Sequence, residues 1–293
     1  MLDNNYMANP IYLSVLNFKG GVGKTTTAIT LARGFAKKGY KTLVLDLDHQ
    51  GNATSGLGID KNEEIFTLLE LHDEVFKKKK PFDAVFPLMV SEIRENLFLL
   101  GGNVKIHAAN NALASESVGR ERQLVRLFSK LKGFDVCVID CHADSSEITT
   151  NTMMLADYLL IPLTLDQWGY DGLSDVLTRL SSYREILGED QVKVQVIGFL
   201  PTKVKLTTGA DGAKKDQLLV AQGVRQALRE QFPNMLLPDI RFSADIEKAQ
   251  VSQQTIFDYE NFNLKSNAAK DYWTLVENLE KKMFKKGAAK NGK

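Results

Sequence analysis

The sequence predicts an α/β protein: a single doubly wound, mostly parallel twisted sheet with helices on both faces. Short apolar, β-branched runs alternate with longer segments of helical period along the chain, the pattern of successive βαβ units. The strand runs are continuously apolar, as expected for strands covered on both faces. The chain of 293 residues has room for one large domain or two small ones. It shows no internal repeat and no long Ser/Gly/Pro linker, so one domain is preferred.

In chain order, residues 1–10 lack a basic segment followed by an apolar core and read as a flexible lead-in, not a secretory signal. Strands are expected over Ile11–Asn17, Thr42–Asp46, Leu97–Leu100, Asp135–Asp140, Tyr158–Pro162 and Val194–Leu200. Helices are expected over Lys24–Lys38, Glu121–Leu131, Tyr170–Leu187 and Gln217–Gln231, with a last helix from about Ala268 to Phe284. The run Lys77–Lys80, closed by Pro81, reads as a solvated turn. Thr207–Lys215 reads as a polar, glycine-containing loop. The main domain is placed at residues 11–286, and residues 287–293 form a basic flexible tail.

Hydrophobic residues make up 44% and charged residues 25%, ordinary values for a globular protein with a sizeable core. Lys plus Arg number 37 against 36 Asp plus Glu, so attraction to nucleic acid would have to come from local basic patches. No apolar run approaches the ~18–20 residues that span a bilayer. Cys137 and Cys141 sit in one strand-like run, where four steps separate their Cα atoms by roughly 13 Å, beyond disulfide reach. That pattern fits a reducing cytoplasm and gives no sign of a metal site.

The most informative residues are Asn17-Phe18-Lys19-Gly20-Gly21-Val22-Gly23-Lys24-Thr25-Thr26, between a predicted strand and a predicted helix. This is the context a phosphate loop requires. Glycines let the backbone turn sharply, so that successive N–H groups converge on phosphate oxygens, and the helix adds its positive end. Lys24 can reach the β- and γ-phosphates, and the Thr25 hydroxyl can bind Mg²⁺. Asp46 and Asp48 project from the carboxyl end of the second strand, where open α/β sheets place ligands. The strand Asp135–Asp140 ends in a carboxylate in the manner of a Walker B motif, and Asp140 would hold Mg²⁺ through water.

The usual phosphate-loop pattern wants glycine five residues before Gly23. Phe18 stands there instead, and Lys19 follows. The resulting KGGVGKTT resembles the deviant Walker A ATPases, a family that includes ParA-type partition proteins, the Min-system division ATPase and nitrogenase iron protein. Asp46–Thr54 resembles the family's DxDPQGN run, with His49 in place of proline. Asp140-Cys141-His142-Ala143 stands where the family has D-x-P-P. Weaker likenesses follow at Ile161–Leu173, at Phe199–Lys203 and at Glu247–Tyr259, and Ile240-Arg241-Phe242 stands where the family has Ile-Pro. The resemblance runs from about Ile11 to Leu279. It is to the short ParA type, without an operator-binding domain ahead of the loop.

This resemblance implies a deviant P-loop NTPase fold and a slow, Mg²⁺-dependent, partner-stimulated ATP hydrolase. It implies that ATP-loaded subunits pair, each Lys19 reaching the partner's nucleotide, with Gly20, Gly21, Val22, Gly23, Lys24, Thr25 and Thr26 on the phosphates. Asp48 would position the attacking water, Asp46 would support the loop, and Thr202 and Lys203 would lie beside the adenine. His49 is expected to fill the proline's place without chemistry, and His142 to be a lone loop histidine. ParA-type dimers bind DNA without sequence preference, which makes Lys203, Lys205, Lys214, Lys215, Arg225, Arg229, Lys248, Lys265 and Lys270 the candidate contacts. The implied partners are a second copy, DNA and a ParB-like centromere-binding protein, at the nucleoid in the cytoplasm and without stable membrane association.

The alternative is a Min-type membrane-associated positioning ATPase. It would use the apolar stripe Trp273, Val276, Leu279 and Met283, with the lysines that follow, to lie on lipid. A nitrogenase-iron-protein-like electron donor would need two cysteines in loops, whereas Cys137 lies within a strand.

Overall fold

The computed structural model describes residues 9–144, 146–208, 214–216 and 219–284. The expected lead-in, apart from its last two residues, and the expected basic tail lie outside the described residues.

The first half of the chain runs β1 (Ile11–Val15), α1 (Lys24–Lys37), β2 (Thr42–Leu47), α2 (Asn52–Gly56), α3 (Leu68–His72), α4 (Phe82–Met89), β3 (Ser91–Arg94), β4 (Leu97–Leu100), α5 (Ile106–Ala114) and α6 (Gln123–Leu127). It continues with β5 (Val136–Cys141), α7 (Glu147–Leu155), β6 (Tyr158–Leu163), α8 (Gln167–Leu187) and β7 (Gln195–Pro201). A short antiparallel pair, β8 (Leu206–Thr208) and β9 (Lys214–Asp216), precedes α9 (Leu219–Gln231), α10 (Ala244–Val251), α11 (Ile256–Tyr259) and α12 (Asn267–Phe284).

Seven strands form one sheet in the order β3-β4-β2-β5-β1-β6-β7. All neighbours are parallel except the edge pair β3 and β4. The strand period of two sorts the apolar residues between two cores. Leu13, Val15, Val44, Val136 and Val138 face α1, α2, α11 and α12, while Tyr12, Leu43, Leu45, Cys137 and Ile139 face α3 to α8. Both cysteines are buried in β5 as free thiols.

Two expectations change. The helix placed at Glu121–Leu131 is α6 flanked by single 3₁₀ turns at Arg120–Arg122 and Phe128–Lys130. Of the loop placed at Thr207–Lys215, the described ends lie in the antiparallel strands β8 and β9, their polar sequence having no apolar period to betray strands; residues 209–213 lie outside the described residues. The helix placed from Gln217 is described from Leu219 to Gln231, and residues 217–218 lie outside the described residues. The stripe on the last helix is core: Val276, Leu279 and Met283 are buried against the α1 face of the sheet, so they are not available to lipid. Among the described residues no helix is long and apolar enough to cross a membrane.

At the opposite end, Lys77 closes a π turn and pairs with Asp73, while Lys78 and Lys80 both pair with Glu74, an exposed turn as expected.

Candidate active site

The phosphate loop connects β1 to α1 at the carboxyl edge of the sheet. Gly21 and Gly23 adopt φ of 76° and 83°, the left-handed region that only glycine enters without strain. Gly23 offers α1 no side-chain cap, which leaves the first helical N–H groups to an anion. The loop is tied down on both flanks. Asn17 donates from Nδ2 to the Pro162 carbonyl at 2.8 Å and accepts the Lys19 N–H at 2.8 Å. The Thr202 hydroxyl donates to the Val22 carbonyl at 2.9 Å. Thr202 was expected beside the base; it lines the cavity, but its hydroxyl clamps the loop.

A cavity of about 390 Å³ opens over this loop. Its floor is Gly20, Gly21 and Gly23–Thr26; Asp48 and His142 form one wall; Thr202, Lys203, Arg241, Phe242 and Tyr272 form the other. Arg241 is fixed there by Asp271 at 2.6 Å, and Gln250 reaches across to the Thr26 hydroxyl at 2.7 Å. Lys24 curls back over the loop to the Lys19 carbonyl at 3.1 Å, its pKa lowered by burial against the pull of Asp140 and Asp48. Lys19 is not on the cavity wall. Its ammonium lies 4.6 Å from the centroid of Trp168, a ring 69% exposed.

The three carboxylates have separate environments. Parallel pairing sets Asp46 opposite Asp140. Asp46 accepts the Thr54 N–H and hydroxyl at 2.8 and 2.7 Å and the Asp48 N–H at 3.2 Å. Burial pushes its pKa up to about 6 despite those bonds. Through those bonds it braces the turn at residues 48–54; it does not line the cavity, and Gly102 packs so closely that a Cβ there would meet Asp46 Cγ at 2.6 Å. Asp140 is fully buried, and among the described residues neither of its oxygens meets a partner in good hydrogen-bond geometry. Burial and Asp46 raise its pKa well above the usual carboxylate range, against the nearby Thr25 hydroxyl and Lys24. An orphaned carboxylate next to a threonine hydroxyl is the donor set a hard cation needs, so these residues fit Mg²⁺. Asp48 faces the cavity and accepts the Gln50 N–H at 2.8 Å.

His142 overturns its expectation. His142 is not alone: its Nδ1 is 3.0 Å from Asp48 Oδ1, and its ring centre is 4.3 Å from that of His49. His49 in turn stacks on His107 at 4.0 Å. The replacements at both family proline positions therefore meet over Asp48. Burial, His142 and His107 hold the His49 pKa below its usual value.

The basic candidates divide. Lys203, Lys205, Arg229, Lys248, Lys265 and Lys270 are exposed, Lys248 beside Asp245 at 3.0 Å. Arg225 is bound at two points by Asp239, at 2.8 and 2.9 Å, so its guanidinium is committed within the fold. The backbone places Lys214 and Lys215 in β9.

The comparisons with known proteins follow this geometry. A family model described as an AAA domain matches residues 11–193. The chromosome-partitioning ATPase Soj of Thermus thermophilus is 30% identical over 220 residues, 75% of this chain and 76% of that one. This chain belongs to the AAA-domain family, among its ParA-type partition ATPases. The ParA-type chain is also similar to the sporulation initiation inhibitor protein Soj of Bacillus subtilis, at 28% identity over 79% of this chain and 85% of the relative. Among solved structures, an ATP complex of McdA from Cyanothece superposes with a TM-score of 0.74 at 26% identity, covering 92% of this chain and 96% of that one. The sheet, the phosphate loop and the cavity above it are thus those of a partition or positioning ATPase.

Proposed function

We propose that two ATP-loaded copies of this protein pair face to face, each Lys19 reaching its partner's phosphates, and that the pair binds DNA without sequence preference. The observation that carries this reading is the divergence of the two loop lysines. Lys24 lines its own cavity, while Lys19 leaves it and rests on the exposed Trp168 ring. A cation held outside its own site is free to neutralise the charge that spreads over the γ-phosphoryl oxygens of a neighbouring site.

In this reading the loop N–H groups and Lys24 hold the triphosphate. Asp48, at the cavity wall, accepts a hydrogen bond from the attacking water and aims it at the γ-phosphorus. Thr25 and Asp140 would hold Mg²⁺, which would supply charge neutralisation on the phosphates. Cleavage of the γ-phosphate removes what Lys19 binds in trans, and the pair separates. The exposed lysines and Arg229 supply phosphate contacts whose strength falls steeply with salt. A ParB-like centromere-binding protein accelerates the cycle by stabilising the competent pair, at the nucleoid in the cytoplasm.

Light scattering with ATP and with ADP tests the scheme. Wild type is expected to dimerise with ATP alone, Lys19→Ala to pair weakly, and Asp48→Ala to accumulate as a dimer. A monomer at saturating ATP would overturn the proposal.

A further inference from the structure

Three of the chain's four histidines cluster beside one carboxylate: two face Asp48 and the third stacks behind one of them. They come from separate elements: His49 from the turn after β2, His107 from α5 and His142 from the residue after β5. The fourth, His72, is buried beside Asp73 and Phe76. His142 Nδ1 and His49 Nδ1 stand 3.0 and 3.7 Å from the same oxygen, Asp48 Oδ1. One ligand atom from each of Asp48, His49 and His142 lies within 4.8 Å of the other two. Ligand atoms around a tetrahedral ion with bonds of ~2.0–2.1 Å are about 3.3 Å apart, so the two separations bracket the required value.

We propose that Asp48, His49 and His142 form a site for one divalent transition-metal ion of the zinc class, at the edge of the nucleotide cavity. Two imidazoles and one carboxylate suit such an ion, whereas Mg²⁺ prefers oxygen alone. Three protein ligands leave a fourth position open. The supporting contacts exist: the Gln50 N–H fixes the Asp48 carboxylate, and the His107 ring, inclined by 29°, holds the plane of His49. The ion replaces the proton between His142 Nδ1 and Asp48, and that imidazole then carries its proton on Nε2. The site is distinct from the one at Thr25 and Asp140, which uses no histidine. An ion here engages the carboxylate needed to aim the water, so it holds turnover off. That consequence rests on the role proposed for Asp48; the binding of the ion does not.

Co²⁺ serves as the probe, added to the full-length, nucleotide-free protein. One equivalent is expected to develop the visible absorption of low-coordinate, imidazole-bound Co²⁺, and one equivalent of Zn²⁺ to erase it. The band disappears in the His49→Ala/His142→Ala double variant, and in His142→Gln should the double variant fail a circular-dichroism test of folding. His107→Ala keeps the band with affinity about tenfold weaker, as for loss of a supporting contact. No band in wild type, or an equal band in folded His142→Gln, would overturn the proposal. At buffered free Zn²⁺, wild-type turnover should fall at least about tenfold and that of His142→Gln should fall far less. Binding with turnover unchanged would instead overturn the role assigned to Asp48 and leave the metal site standing.

Discussion

The Lys19 ammonium rests 4.6 Å from the centre of the Trp168 ring, while the backbone N–H of the same lysine is held by Asn17 Oδ1 at 2.8 Å. The loop is fixed at its main chain, and its side chain is restrained by one exposed aromatic face. An exposed cation–π contact is worth ~0.5–1 kcal/mol. If each Lys19 must leave its Trp168 to engage a partner, two such contacts are lost per dimer, and Trp168→Ala tightens ATP-dependent dimerisation about five- to thirtyfold, the equivalent of ~1–2 kcal/mol. Sedimentation equilibrium measures the change; weaker dimerisation would make Trp168 itself an interface residue.

Gly172, in the first turns of α8, lies directly under the phosphate loop. A Cβ there would stand 2.5 Å from Asn17 Oδ1 and 2.9 Å from Lys19 Cβ. Gly172→Ala is expected to displace Asn17 and lower ATP affinity at least tenfold, with an overpacking cost of about 1–3 kcal/mol in stability. Calorimetric titration with a non-hydrolysable ATP analogue and thermal unfolding read the two effects separately.

On the other face, Gly34 of α1 meets Val276 of α12, where an added Cβ would come within 2.5 Å of Val276 Cγ2. Gly34→Ala gains ~1 kcal/mol in helix propensity but forces the helices apart, so a net loss of about 1–2 kcal/mol is expected. Adding Val276→Ala should recover part of it. Chemical denaturation of the two single variants and the double variant checks the coupling, and strict additivity would rule it out.

Glu70 supplies a pH test. It completes a capping box with Thr67 and pairs with Lys105 at 2.7 Å, just ahead of the helix that carries His107. Burial raises its pKa, but the bonds from Lys105 and Thr67 outweigh it, and the carboxyl ends below its usual value. A carboxylate lowered on folding stabilises the protein above its unfolded pKa of about 4.3 and loses that contribution as pH falls through the folded value. Glu70→Gln should therefore cost about 0.5–1 kcal/mol at pH 7 and much less near pH 3, measured by urea unfolding at both.

The central strands were legible because each is buried on both sides and reads as an unbroken apolar run. The edge strand β3, Ser-Glu-Ile-Arg, shows no such run because one side of it has no neighbour. Helices of five residues, such as α2 and α3, are too short to display a period. In the site, the loop and its carboxylates were readable because their signals are local spacings. The histidine cluster was not, since positions 49, 107 and 142 meet only through tertiary packing. The register Asp46 to Asp140 and Leu47 to Cys141 carries Asp48 and His142 off the ends of adjacent strands together. The contacts of Asn17 with Pro162, of Gly102 with Asp46 and of Gly172 with the phosphate loop were not readable for the same reason: the partners are distant in the chain.

The packing of α12 on α1 has a consequence for synthesis. The helix that begins with Lys24 leaves the ribosome long before Tyr272 and Val276, which cover its apolar side at Thr27 and Gly34. Until then a greasy surface waits without its mate, and loop closure over some 240 residues must precede a finished nucleotide pocket. Ribosome-stalled intermediates that lack α12 are therefore expected to expose this apolar surface and to be captured by holdase chaperones.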